Sequence, residues 1–254
     1  MAAVSIITPN YNTADFIGET IESVLAQTFD DWEMIIVDDA STDNSREIIQ
    51  AYADKDKRIK PVFLKENGGQ GKARNIATDL ASGQYIAFLD SDDIWHPEKL
   101  EKHLHFMREK NAVFSYTAYG FIDEKGREIL KPYRISKCPL TYGDLLKKND
   151  IGCLTAMYNA GRIGKFFMPD LRKKQDYAMW LSILKKGYMA YPYNEVLAWY
   201  RKRATSVTGN KKKLIFEHYK FLRKTEKLSL FNAVFYTFTW GWNGLKKYYI
   251  NGYL

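Results

Sequence analysis

Apolar residues in the first ninety positions fall into short continuous runs separated by stretches with helical spacing. Val4 to Thr8, Trp32 to Val37, Ile59 to Leu64 and Tyr85 to Leu89 have the length and β-branched content of buried strands. Between them, Ile17, Ile21, Val24 and Leu25 mark one face of a helix from about Thr13, with Asn12 as a candidate N-cap. Ser41 to Ala53 carries Ile48, Ile49 and Tyr52 behind an acidic start. Gly68-Gly69 opens a third helix, in which Ala73, Ile76, Ala77 and Leu80 repeat at i, i+3, i+4, i+7 before Gly83. This alternation predicts an α/β fold with a central, mostly parallel sheet covered by helices on both faces.

Past Asp93 the pattern loosens. Pro97 starts a helix bearing Leu100, Leu104 and Met107, and Val113 to Ile122 reads as a strand entering a hairpin at Asp123-Glu124-Lys125-Gly126. Thr141-Tyr142-Gly143-Asp144 has the spacing of a capping box, Ile151 to Tyr158 reads as a strand, and Gln175 to Lys186 as a helix stopped by Gly187. Tyr177, Trp180, Leu181 and Leu184 share a face of that helix, so Trp180 reads as core, the alternative being a platform under a bound acceptor.

With 254 residues, 46% of them hydrophobic, the chain can bury a core of one α/β domain with a small appendage, and disorder is excluded for most of it. Two cysteines, Cys138 and Cys153, lack metal-ligand spacing and fit a reducing compartment. The residues after Met1 show no basic region followed by a long apolar run, so no signal peptide is visible and a cytoplasmic location is expected. The net charge of +8 is unevenly placed: residues 201–254 carry +10 and residues 1–200 carry −2. Four histidines, His96, His103, His105 and His218, have no ligand-like arrangement and read as surface or helix-face residues.

Candidate chemistry sits where strands end. Met34 to Val37 runs into Asp38-Asp39, and Tyr85 to Leu89 into Asp90-Ser91-Asp92-Asp93. In open α/β sheets, ligands bind outside the carboxyl ends of strands. Carboxylates gathered there repel unless a cation or a set of donors sits among them. Hard oxygen ligands select Mg²⁺ or Mn²⁺, and such an ion can bridge two phosphates of a nucleotide. An acidic turn alone is common on protein surfaces; four motifs in order are not.

Those motifs are Pro9-Asn10-Tyr11-Asn12, Val37 to Asp43, Asn67-Gly68-Gly69 with Ala73-Arg74-Asn75, and Leu89 to Asp93. Together they resemble family 2 glycosyltransferases of the GT-A fold over residues 4 to 205. Ile151 to Thr155, Gln175 to Leu181 and Lys185-Lys186-Gly187 extend the similarity to bacterial teichuronic-acid and capsule-type cell-envelope enzymes. The resemblance implies a catalytic domain over 1–207, divided into a nucleotide-sugar half (1–93) and an acceptor half (94–207), followed by a helical extension over 208–254. It implies that Thr8, Pro9 and Tyr11 line a nucleotide pocket, Asp39 accepts from a uracil imide, Lys72 and Arg74 lie near base and phosphates, and Asp90 and Ser91 lie near the ribose. Asp92 is implied as the ligand of Mn²⁺ or Mg²⁺ and Asp176 as the general base of an inverting displacement. Asn10 or Asn12 can instead cap the first helix, Asp176 can instead cap its own, and Asp43 reads as a first-turn dipole partner.

Two departures from the family pattern stand out. Gln175 replaces a common Glu beside the base, and that lost charge, with a helix N-terminus, predicts a lowered pKa for Asp176. No histidine stands near Arg203, so Arg201 or Arg203 is expected to meet the diphosphate.

Residues 211–227 interleave seven cations with Leu214, Ile215, Phe216, Tyr219, Phe221 and Leu222, and 228–245 is aromatic-rich with too many polar residues for a membrane span. Lys246-Lys247 and Tyr248-Tyr249 read as interfacial anchors. The expectation is peripheral attachment to the inner face of a membrane near a lipid-linked glycan acceptor, the alternative a helical lid packed on the domain. No nucleic-acid-reading motif is recognisable. Competing functions are an idle nucleotide-sugar or lipid-binding module, and a sugar-phosphate nucleotidyltransferase, whose early Gly-rich basic loop is absent from residues 4 to 15.

Overall fold

A computed structural model describes residues 2–203 and 211–249, without the side chains of 211–213 and 247–249. The strands are β1 (Val4–Asn10), β2 (Trp32–Asp38), β3 (Ile59–Phe63), β4 (Tyr85–Phe88), β5 (Ile94–Trp95), β6 (Phe114–Ile122), β7 (Glu128–Tyr133), β8 (Ala156–Asn159) and β9 (Ala190–Arg201). The helices are α1 (Ala14–Leu25), α2 (Ser45–Lys55), α3 (Gln70–Leu80), α4 (Lys99–Glu109), α5 (Tyr142–Lys147), α6 (Ala160–Ile163), α7 (Gln175–Lys185), α8 (Lys211–Lys224) and α9 (Leu230–Tyr249).

All the strands join one sheet in the order β3-β2-β1-β4-β8-β6-β9-β5, with β7 paired to β6. β1 and β2 are buried along their whole length, which is why their sequences run apolar without alternation. Parallel pairing extends across β3-β2-β1-β4; β8 then enters antiparallel to both β4 and β6, and β5 antiparallel to β9, so the second half is mixed. One side of the sheet packs on α1, α2 and α4, and the other on α3, α5 and α7.

Several sequence expectations change. Ile151 to Tyr158 is not one strand: a 3-10 turn at Cys153–Thr155, closed by Thr155 Oγ1 donating to Gly152 O at 2.7 Å, precedes β8. α2 begins at Ser45, four residues later than the pattern implies. β9 was not anticipated, and it lies between β6 and β5. Trp180 is fully buried, edge-on to Phe88 at 5.3 Å, which settles it as core. His103 and His218 are fully buried, not surface residues.

The C-terminal helices share the core. Phe221, Leu222 and Ala233 are buried in the same cluster as Tyr177 and Leu145. Outward, Ile215, Phe216, Phe231, Val234, Phe238 and Trp242 are exposed. Packing on the domain and an exposed apolar face therefore coexist. The expected boundary at 207–208 and the segment 204–206 lie outside the described residues, as do the side chains of Lys211 to Lys213, Lys247, Tyr248 and Tyr249.

Candidate active site

The loops after β1 and β2 are tied together before any ligand is considered. Asp38 is fully buried, accepting from Asn10 Nδ2 at 2.8 Å, Ser41 N–H at 3.0 Å and Arg46 Nε at 2.6 Å. Its lone pairs are spent on the scaffold. Asp43 joins two helices, its Oδ2 accepting from Ala14 N–H at 2.9 Å at the start of α1 and its Oδ1 from Ser45 N–H at 3.0 Å at the start of α2. Burial works against its charge, but those donors lower its pKa overall. Asn12 is therefore not the cap: it sits at φ 51°, and its Oδ1 accepts from Thr42 N–H at 2.8 Å.

Asp39 is 3% exposed and reaches across to the entry of α3. Its two oxygens accept from the Gly68 and Gly69 amides, each at 2.7 Å. Gly69 has φ 87°, a conformation that turns its N–H toward Asp39 and that residues with a Cβ resist. Lys72, exposed on the first turn of α3, lays its stem against Gly68. Of the β1 residues expected in a nucleotide pocket, Tyr11 is 45% exposed at the rim, whereas Thr8 and Pro9 are buried within the sheet. Contact through the Thr8 side chain is corrected accordingly: no solvent-facing atom is available. Ser91 is also buried, 3.0 Å from Thr13 Oγ1, and holds the acidic turn to the start of α1.

The acidic turn is braced from two sides. Arg74, buried on α3, places Nη2 2.5 Å from Asp90 Oδ1; burial opposes its charge, yet the Asp90 and Asp176 carboxylates raise its pKa. Arg74 Nε is buried without a partner. Arg201, at the end of β9, is the second brace. Its backbone N–H donates to Asp93 Oδ1 at 2.9 Å, Nε to Asp92 O at 2.8 Å, Nη1 to Asp123 O at 3.2 Å and Glu124 O at 3.3 Å, and Nη2 pairs with Glu19 at 2.5 Å. With a side chain 0% exposed and its donors committed, Arg201 is a structural bolt, which corrects its expected role as a diphosphate contact. Arg203 stays near the surface, 3.5 Å from Asp92 Oδ2.

Asp176 lies in the first turn of α7 and, with Asp90, lines a cavity of about 430 Å³. Tyr119, Asp150, Tyr200 and Lys202, none of them assigned a role from sequence, also line it, with Ile151 to Leu154 of the family-like segment. Burial raises the pKa of Asp176 and Arg74 only partly offsets this. The expected lowering is thus reversed, because desolvation outweighs the helix N-terminus. Gln175 donates its amide to Leu171 O and packs on Gly71, fixing the turn before Asp176. The residue before it, Lys174, is left-handed at φ 62°. Lys174 Nζ lies 2.7 Å from His218 Nδ1 on α8 and 4.9 Å from the centroid of the Trp240 ring on α9. The entry to the Asp176 helix is therefore held by the C-terminal hairpin.

The family model for Glycosyl transferase family 2 matches residues 5–166. The chain belongs to glycosyltransferase family 2. Among curated relatives, it is 46% identical over 244 residues to the putative teichuronic acid biosynthesis glycosyltransferase TuaG of Bacillus subtilis, covering 96% of each chain. It is 38% identical over 250 residues to an Escherichia coli protein named UDP-Glc:alpha-D-GlcNAc-diphosphoundecaprenol beta-1,3-glucosyltransferase WfaP, covering 98% of this chain and 96% of that one. Among solved structures, S. aureus TarS 1-349 in complex with UDP-GlcNAc superimposes with a TM-score of 0.68 at 24% identity, over 86% of this chain and 65% of that one. A mannosyltransferase from Pyrobaculum calidifontis, in complex with GDP-Man and Mn2+, gives 0.62 at 17% identity over 99% and 76%. The fold is GT-A.

A family 2 site of this kind raises the question of a metal. Burial, then the charge of Asp90, raises the pKa of Asp92; burial, then Asp92 and Asp90, raises that of Asp93, whose Oδ2 is buried without a partner. Four carboxylates, Asp90, Asp92, Asp93 and Glu19, stand against the three guanidiniums of Arg74, Arg201 and Arg203, and a divalent cation fits an all-oxygen donor set of that sign. Among the described residues, no cage of three or more His, Cys, Asp or Glu side chains exists. Asp92, with Asp90 beside it, would hold the ion, and phosphate oxygens or water would supply the rest.

Proposed function

We propose that this family 2 enzyme transfers a sugar from a nucleotide diphosphate, most simply a UDP-sugar, to a hydroxyl of a lipid-linked cell-envelope glycan. The observation that carries this reading is the pairing of Asp176 and Asp90 on one cavity, with Arg74 between their charges. Asp176 takes the proton of the acceptor hydroxyl while its oxygen bonds to the anomeric carbon. The bond from that carbon to the diphosphate breaks on the opposite face, so configuration inverts and no covalent enzyme intermediate forms. Tyr11, Asp39, Lys72 and Asp90 are assigned to the nucleotide, with Arg203 at the diphosphate. A divalent ion on Asp92, when bound, stabilises charge on the departing diphosphate.

The names of two relatives, which specify UDP-Glc and a diphosphoundecaprenol acceptor, support this donor and acceptor class. The exposed apolar face of α8 and α9 supports peripheral attachment to the inner face of a membrane; among the described residues no helix is long and apolar enough to cross one. The test is UDP release from UDP-sugars in the presence of a lipid-linked acceptor. Replacing Asp176→Asn is expected to slow transfer by about 10²- to 10⁴-fold with UDP binding intact. Unchanged turnover in that variant would refute the assignment of the base.

A further inference from the structure

A cavity of about 520 Å³ opens where residues 171–174 meet α8. Arg172, Lys173, Lys174, Lys220 and Lys224 line it against one carboxylate, Glu217. Glu217 lies 3.6 Å from Lys173. Among the described residues, Arg172, Lys220 and Lys224 have no carboxylate within ion-pair distance. Lys174 is mostly buried, and desolvation lowers its pKa to about 8 in spite of Glu217. Uncompensated cations converging on a concave surface are what a phosphate group neutralises.

Beside it runs an apolar groove of about 620 Å³ between α8 and α9, walled by Phe216, Tyr219, Phe238, Trp240, Trp242 and Leu245. Two contacts join groove to cavity: Lys220 Nζ lies 4.3 Å from the Phe216 ring centroid, and Lys174 Nζ 4.9 Å from that of Trp240. On its other side the cavity shares Leu171 and Arg172 with a larger cleft lined by Gly69, Lys72 and Gln175, at the start of the helix that carries Asp176. The cationic cavity thus lies between the apolar groove and the start of the Asp176 helix.

We infer that cavity and groove form one site for a polyprenyl diphosphate, the diphosphate against Arg172, Lys220 and Lys224 and the prenyl chain along the groove. This rests on the reading that the acceptor is lipid-linked, and it locates the carrier's anionic link within the fold. Charge complementarity favours this occupant over bulk phospholipid. A bilayer needs cations only around the rim of an apolar face, whereas here they converge on a concavity that meets the groove at Lys174 and Lys220 and lies at the entry of α7.

The full-length protein can be titrated with geranylgeranyl diphosphate, followed by the fluorescence of the groove tryptophans, with geranylgeraniol, inorganic diphosphate and phosphatidylglycerol vesicles as comparators. Lys220 and Lys224 are exposed, so the double variant Lys220→Gln/Lys224→Gln is expected to fold, which its thermal melt checks. The expected result is about tenfold or greater weakening for geranylgeranyl diphosphate and no change for geranylgeraniol. Lys125→Gln/Lys131→Gln, which removes the same charge from the β6–β7 hairpin, is expected to leave binding as it was. Equal affinity for alcohol and diphosphate, an undiminished affinity in the first variant, or a loss confined to the vesicles would each overturn the site. Because the readout is binding, its failure leaves the assignment of Asp176 standing, and inactivity toward every donor would leave the binding result standing.

Discussion

A carboxylate that takes a proton from an alcohol gains from being a stronger base than aspartate in water, and burial supplies that to Asp176, the base proposed above. The consequence has a definite sign. Only the ionised form accepts a proton, so transfer should fail as pH drops through a pKa above the ordinary 3.8. A kcat profile whose acid limb lies above the normal aspartate range is expected, and a limb at or below it would count against Asp176. Lys99 offers a stability counterpart. It is fully buried, 3.4 Å from His103 Nδ1 and 4.9 Å from the Trp95 ring centroid, and desolvation lowers its pKa from 10.5 to about 7. Between those values the unfolded chain binds the proton and the native one does not, so stability rises with pH from about 7 to 10.5. Lys99→Met is expected to stabilise by on the order of a few kcal/mol below pH 7, with the gain shrinking as pH rises, as thermal melts across pH would record. At this scale the sequence revealed which side chains gather, because strand ends follow from periodicity, but not their partners. Arg201 sits in a basic run and reads as a diphosphate contact; only the fold of β9 turns it inward.

Among the elements, α7 shows how the side chain proposed as the base is aimed from behind. Lys174 supplies the left-handed turn before it, and α8 and α9 hold Lys174 through His218 and Trp240. The His218 ring stacks on Trp240 at 4.2 Å, and burial lowers its pKa to about 3, so it is neutral and can accept from the ammonium. His218→Ala is expected to lower kcat by about ten- to a hundredfold through misplacement of Asp176, with UDP affinity little changed, a split that steady-state kinetics and UDP titration would separate. Loss of UDP binding in parallel would indicate general unfolding. The helices were legible because their apolar faces repeat every three to four residues. β9 was not: Pro192 and Asn194 interrupt its pattern, and its pairing with β6 shifts register twice. Ile151 to Tyr158 misled because an apolar run bounded by turns does not distinguish a strand from a local hydrogen-bonded turn.

For the whole molecule, charge and apolar surface are concentrated at one end. The exposed aromatics of α9, Phe231 at 79% above all, have no counterpart on residues 2–93, where Tyr11 and Phe63 stand singly. Phe231→Ser/Phe235→Ser, which leaves the α8–α9 groove lining intact, is expected to weaken co-sedimentation with anionic vesicles by roughly tenfold or more. Undiminished sedimentation would mean that this face does not meet the bilayer. The basic, aromatic character of this tail was plain in its sequence. That one face would join the core while the other stayed bare was not, since both faces carry aromatic residues.

Arg201 also bears on the order in which the protein can be completed. Every side chain assigned here to the nucleotide, apart from Arg203, lies before residue 93, and those residues leave the ribosome early. The bolt that ties the Asp92 carbonyl and the Asp93 carboxylate to Glu19 arrives over a hundred residues later. A nascent chain halted before β9 would carry the residues assigned to the nucleotide without the brace that fixes them, so the acidic turn is completed only once β9 has been made.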